Sequence, residues 1–287
     1  MDIKNSWITG FVDGDGCFFI GKPKVTFLSI NKTLKPRHRF IISQDKRSVD
    51  TLYAIKKKLK CGSVHKAGGN MMAFQVGDKK SLETIIIPFF KKYPLQTEKR
   101  KDFYKFVDSF TQSNLEICEQ YKNNFYDKQN KDFSFSINDE WFAGFIDADG
   151  CFTVSIVNNY PRPQLLLGVA ETDKALLFSL QNYLGCGNIR VCKGKDNFVM
   201  FTVSSNKDFI TKIFPKLYTK TGRNLLKTVK RISFQKFRKI VLLIEKKEHL
   251  TFLGLEKIVK LKSGINDYKV VSVNDAVLPT PKLLLPN

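Results

Sequence analysis

The 287-residue chain is 43% hydrophobic, enough to bury a core and long enough for two domains of ordinary size. Forty-eight Lys and Arg against 27 Asp and Glu leave a net charge of +21, spread over both halves, which predicts a polyanionic partner with nucleic acid first. No apolar run approaches a membrane span, no basic amphipathic helix or tail supports a membrane-surface protein, and six cysteines without a Cys-x-x-Cys pair, beside three histidines, argue against zinc and for free thiols.

The first predicted element is a helix through WITGFVDGDG at 7–16. It ends in two acids, although Asp is a weak helix former and a carboxylate there meets the negative end of the helix dipole. β segments follow at 17–30 and 36–44, a helix at 46–60, strands at 62–67 and 71–77, and helices at 79–92 and 98–113. Residues 115–138 are polar and without period, as a linker is. The chain then repeats itself. WFAGFIDADGCF at 141–152 restates WITGFVDGDGCF at 7–18, LGCGNI at 184–189 restates LKCGSV at 59–64, and LKTVKRISF at 226–234 restates LQTEKRKDF at 95–103. The second copy reads as a helix, β segments at 151–158 and 163–171, a helix at 172–185, strands at 187–193 and 198–204, and helices at 206–218 and 227–248. A helix at 251–263, started by Thr251, and a Pro-containing end at 279–287 follow.

Landmarks recurring in one order mean tandem duplication, and two copies are too few for a solenoid. The expected product is a fused dimer within one chain: an N-terminal repeat at 1–114, a linker at 115–138 and a C-terminal repeat at 139–287. The fold class is α+β, two pseudo-twofold-related α-β-β-α-β-β-α repeats whose antiparallel sheets have helices behind one face and an open second face.

Gly10 and Gly14 lie one turn apart on a helix face, as do Gly144 and Ala148, and small residues at that spacing let two helix backbones approach. If the two motif helices pair about the pseudo-twofold, Asp15 and Asp149 come together, and paired carboxylates repel unless protonated or bridged by a cation. Mg²⁺ takes oxygen ligands and shares them with phosphates, so the pair beneath a basic sheet points to phosphodiester hydrolysis. A single Asp-x-Asp-Gly would read as a turn or a calcium loop. Its repetition in the same context, without the other acids of an EF-hand loop, favours the metal site.

ITGFVDGDG at 8–16 and FAGFIDADG at 142–150 resemble the name-giving motif of the LAGLIDADG homing endonucleases, in the monomeric branch that carries two motifs. The resemblance implies that the motif helices form the interface between repeats and that the two sheets straddle DNA as a saddle. It implies divalent metal, Mg²⁺ with Mn²⁺ or Ca²⁺ as substitutes, on Asp15 and Asp149, helped by the carbonyls of Gly14 and Ala148, with Asp13 and Asp147 structural. It places Gln44 and Glu171 at strand ends, ordering water. It places Lys227 as a transition-state lysine; the first copy has Gln96 there, with Lys99 or Arg100 as substitutes, an asymmetry that predicts unequal cutting of the two strands. The implied products are short 3′ overhangs with 5′-phosphate and 3′-hydroxyl ends.

Strand alternation separates core from DNA face. With Phe40 and Ile42 inward, Arg37, Arg39 and Ser43 point outward, and Arg162 and Gln164 take the matching phase in the second copy. Ser29, Lys32, Lys66, Gln75, Ser155, Arg190 and Thr202 are further candidates. Arg suits guanine edges and Gln adenine, and the remaining lysines suit phosphates. The expected partner is double-stranded DNA with a pseudo-palindromic or asymmetric target, bound by a monomer. An RNA maturase using the same saddle on intron RNA is the alternative, and a sequence-specific DNA-binding regulator a third reading. The chain's start shows no signal or transit segment. Its wealth of Lys, Asn, Ile and Phe fits an A/T-rich genome, so an organelle, mitochondrion before chloroplast, is the expected home.

Overall fold

A computed structural model describes residues 2–22, 36–113, 134–192 and 198–266. The first repeat runs α1 (Asn5–Asp15), β1 (Gly16–Gly21), β2 (Arg37–Asp45), α2 (Val49–Leu59), β3 (Ser63–Gly68) and β4 (Met71–Val76). It continues with α3, a continuous run of Lys79–Ser81, a π-turn at Leu82–Ile86 and Ile87–Lys92, and closes with α4 (Lys99–Gln112). The second repeat has the same order: α5 (Asp139–Asp149), β5 (Cys151–Val157), β6 (Tyr160–Ala170), α6 (Lys174–Leu184), β7 (Asn188–Cys192) and β8 (Phe198–Val203). Its α7 joins Asn206–Asp208, a π-turn at Phe209–Ile213 and Phe214–Lys216, before α8 (Lys230–Glu245) and α9 (Phe252–Lys262). Thr251 caps α9, its hydroxyl accepting from the Gly254 N–H.

The two π-turns share one cause. Pro88 and Pro215 have no N–H to give, and the ladder just before each slips to Ile87 N–H on Leu82 and Phe214 N–H on Phe209. The helices after each sheet start later than periodicity predicts, at Lys99 and Lys230, because the preceding N–H groups of Gln96, Thr97, Lys227 and Thr228 are given to aspartates instead.

Each sheet is antiparallel and four-stranded, ordered β1-β2-β4-β3 and β5-β6-β8-β7. Alternation divides their faces as period two requires. Phe18, Phe40, Ile42, Phe74 and Val76 are buried against helices in the first repeat, and Phe152, Leu165, Leu167, Phe201 and Val203 in the second. Arg37, Arg39, Ser43 and Gln75 stand on the other face of the first sheet, and Ser155, Arg162, Gln164, Arg190 and Thr202 on that of the second. Lys66 does not. It pairs with Met72 in the phase of Val64 and Phe74, so its Cβ starts on the helix side, and His65 holds the outward position. Ser29 and Lys32 lie outside the described residues.

At the centre, α1 and α5 pack backbone to backbone. A Cβ added at Gly10 would sit 2.1 Å from the Trp141 carbonyl oxygen, and one at Gly144 would sit 2.1 Å from that of Trp7. Only glycine fits either crossing point. A Cβ at Gly14 would lie 2.3 Å from that of Ala148 and 2.8 Å from Asp149 Oδ2, so the two helix ends touch where the acids are.

Candidate active site

Two aspartates two residues apart on one helix face opposite ways, since 3.6 residues per turn separate them by about 200°. Asp13 and Asp147 turn inward and are fully buried in hydrogen bonds. Asp13 accepts from the N–H groups of Gln96 and Thr97, from the Thr97 hydroxyl at 2.7 Å, and across the interface from Trp141 Nε1 at 2.8 Å. Asp147 accepts from Lys227 N–H at 2.6 Å, Thr228 N–H at 3.2 Å, the Thr228 hydroxyl at 2.5 Å, and Trp7 Nε1 at 3.2 Å. Burial pushes each carboxyl up, to about 6, against the pull of those donors. Each tryptophan thus ties its own repeat's helix to the other repeat's acid.

Asp15 and Asp149 end their helices at the mouth between the repeats. Burial and the neighbouring Asp149 push Asp15 up to about 6, opposed by Lys230, Gln44 and Lys99. Asp149 is raised by burial, opposed by Lys230 and Lys99. Gln44 donates through Nε2 to Asp15 Oδ2 at 2.5 Å. Lys99 Nζ donates to the Gly14 carbonyl at 2.5 Å, and Lys230 Nζ donates to the carbonyls of Ala148 and, at 3.2 Å, Ile146. The carbonyls that the sequence assigns to a metal therefore accept from ammonium groups here. Burial lowers both lysine pKa values, and the surrounding acids oppose that shift.

Two sequence assignments change. Lys227 sits on the structural side of the helix pair, its N–H on Asp147 and its Nζ 3.5 Å from the Asn224 carbonyl. The ammonium beside Asp149 belongs to Lys230, whose counterpart is Lys99. The signal was present: Lys-Arg recurs at 99–100 and 230–231 within the repeated segments LQTEKRKDF and LKTVKRISF, whereas positions 96 and 227 differ. Glu171 also moves. The registers Cys17–Ile41 and Cys151–Leu166 make Gln44 equivalent to Val169, a buried apolar residue, while Glu171 stands two residues on, exposed in the 3₁₀ turn Glu171–Asp173. A cavity of about 520 Å³ opens beside Asp149, bordered by Lys99, Gly168, Val169 and Phe198.

Among the described residues no cluster of three or more His, Cys, Asp and Glu could hold a metal. The protein's own charged ligands at this mouth are two carboxylates. That set fits a hard divalent cation, which would offset the repulsion that, after burial, raises Asp15.

The site's surroundings match known proteins. Residues 8–110 and 142–241 fit the sequence model of the family described as LAGLIDADG endonuclease. The chain is 29% identical over 269 residues to the probable intron-encoded endonuclease 4 of Neurospora crassa, covering 91% of this chain and 44% of that protein. It is 29% identical over 195 residues to the probable intron-encoded endonuclease Cox1-I1b of Schizosaccharomyces pombe, covering 58% and 48%. The chain thus spans under half the length of both relatives. The crystal structure of the LAGLIDADG homing endonuclease I-GzeII in complex with a DNA target superposes with a TM-score of 0.79 at 26% identity, covering 93% of this chain and all of that one. Meganuclease I-SmaMI bound to DNA superposes equally well, TM-score 0.79, at 24% identity over 93% of this chain and 100% of its own.

Proposed function

The chain belongs to the LAGLIDADG endonuclease family, and from that premise we propose that it is a site-specific homing endonuclease that hydrolyses both strands of a double-stranded DNA target, acting as a monomer. The observation that carries the reading is the meeting of Asp15 and Asp149, one from each motif, between Lys99 and Lys230. Asp15 and Asp149 would hold divalent metal, Mg²⁺ first, which supplies Lewis-acid stabilisation of the phosphate and a nucleophilic water at neutral pH. The residues of the chain do the rest. Gln44 orients Asp15 and offers a hydrogen bond to water at that end. Lys99 and Lys230, fixed by backbone carbonyls, set positive charge where charge accumulates on the phosphorane oxygens. The outward residues of the two sheets follow the grooves, with Arg37, Ser43, Gln75, Ser155, Arg162, Gln164, Arg190 and Thr202 facing DNA. Likeness to intron-encoded proteins and to the uncharacterized mitochondrial protein RF1 of Saccharomyces cerevisiae supports an organellar intron origin.

Cleavage of a plasmid library with Mg²⁺ tests the reading. The intact chain is expected to linearise plasmids carrying its target, and Asp15→Asn or Asp149→Asn to abolish double-strand breakage while duplex binding persists. Unchanged cleavage by both variants, or binding to structured RNA in preference to duplex DNA, would overturn it.

A further inference from the structure

One guanidinium on the open face of the first sheet differs from the other basic groups around it. Arg39 stands directly opposite Phe19 in the β1–β2 register, and its guanidinium carbon lies 4.6 Å from the centre of the Phe19 ring. A guanidinium laid on an aromatic face is attracted by the ring and keeps its in-plane N–H donors free. The stack also immobilises the side chain before any ligand arrives, so less freedom is lost on binding.

Arg39 Nε is buried without a hydrogen-bond partner, and no ion pair among the described residues includes this arginine. Gly77 leaves the flank open: a Cβ there would lie 3.4 Å from Arg39 Cγ and 3.8 Å from Gln75 Nε2, so the two side chains run beside each other. Both border a cavity of about 730 Å³ that Arg37, Ser63 and Lys79 also line. The acid on its wall, Asp78, is engaged in accepting from the Ser81 N–H.

A partly desolvated cation with no ion pair among the described residues, held on the sheet's open face by a stack, asks for a planar pair of acceptors. Guanine offers O6 and N7 in the major groove, matched to the guanidinium fork. A phosphate offers acceptors too, but Arg39 lies on β2, an inner strand of the sheet, opposite Phe19 of β1 and one residue beyond the last β2–β4 pair, Phe40–Val76. The backbones of a duplex bound its groove and the base edges form the groove's floor. The second sheet lacks the device, because Thr153 stands opposite Gln164 at the equivalent pair.

We infer that Arg39, clamped on Phe19, is a specificity-determining residue that reads a guanine in the half-site against the first sheet, and that the equivalent position of the other half-site is not read this way. The inference rests on the DNA-cleaving function proposed above.

Selection of duplexes from a randomised library by the full chain, scored as binding with Ca²⁺ and cleavage with Mg²⁺, tests it. One position is expected to prefer guanine by about tenfold or more, as a bidentate pair does. Arg39→Ala should flatten that position alone, Arg39→Gln should turn it toward adenine, and Phe19→Leu should weaken it, with the other positions unchanged. A defined target profile that Arg39→Ala leaves intact, with affinity lowered evenly and a shallower salt slope, would make the residue a phosphate contact and overturn the inference alone. No enriched duplex with the intact chain would overturn the nuclease reading and the inference together.

Discussion

Asp13 and Asp15 carry the same carboxylate two residues apart, and helix rotation gives them different chemistry. Asp13 has all its lone pairs answered by four donors, one of them the Trp141 indole of the other repeat. Replacing Asp147 by Leu would leave the matching donors unpaired in a buried site, and stability should fall by about 3 kcal/mol or more, measured by denaturant unfolding. Asp15 sits instead at the mouth, where burial and the neighbouring Asp149 act on it together. Its folded value is raised from 3.8 to about 6, so its contribution to stability is present below 3.8 and is lost as pH rises through about 6. The metal-free chain should therefore lose thermal stability between about pH 4 and 6 more steeply than Asp15→Asn does, and added divalent cation should remove that difference; equal slopes would contradict the assigned environment. Lys60 offers a third case. It ends α2 with φ at 58°, where Gly185 ends α6 with φ at 65°. Lys60→Gly should raise stability by about 0.5–1 kcal/mol, since a Cβ is strained in that region.

At the scale of elements, the helix pair α1–α5 and the strand registers decide what the residues can do. Gly10 and Gly144 each face a backbone oxygen at a distance no methyl group tolerates, and backbone cannot move aside as a flexible side chain can. Gly10→Ala should cost about 2 kcal/mol or more and, by parting the helix ends, lower cleavage more than the stability loss explains. Thermal unfolding and single-turnover rates on one preparation check this. The registers also relocate the asymmetry between the repeats. The lysines are equivalent; the partners at the strand ends, Gln44 and Val169, are not. The strand cut at the Asp15 end and the strand cut at the Asp149 end should therefore be cleaved at different rates, seen as a nicked intermediate on supercoiled plasmid. Gln44→Val should bring the two rates together, and strand-specific end labels read the outcome.

The whole molecule is a cation with two open sheet faces. A net charge of +21 spread over both repeats predicts duplex binding whose logarithm falls steeply with the logarithm of salt concentration, a contribution shared among many lysines. Neutralising any one exposed lysine should shift affinity slightly and leave the selected sequence unchanged, whereas a change at Arg39 should alter the sequence. No helix among the described residues is long and apolar enough to cross a membrane.

The duplication, the acid-ended helices, the sheet strands and the outward phase of Arg37, Arg39, Arg162 and Gln164 were legible in the sequence, because periodicity and internal similarity are local patterns. The sequence also distinguished Asp15 and Asp149 from Asp13 and Asp147, through the family motif. The tertiary structure alone decided which residues meet them. Glu171 and Val169 differ by two positions, and a two-residue slip along a strand preserves the face, so alternation could not tell them apart; hydrogen-bond register could. Lys227 and Lys230 are both lysines near the start of one helix, and only the capture of the Lys227 and Thr228 N–H groups by Asp147 shows that the helix begins late and delivers Lys230 to the mouth. Local rules set which way a side chain points. What it points at depends on pairings between segments far apart in the chain.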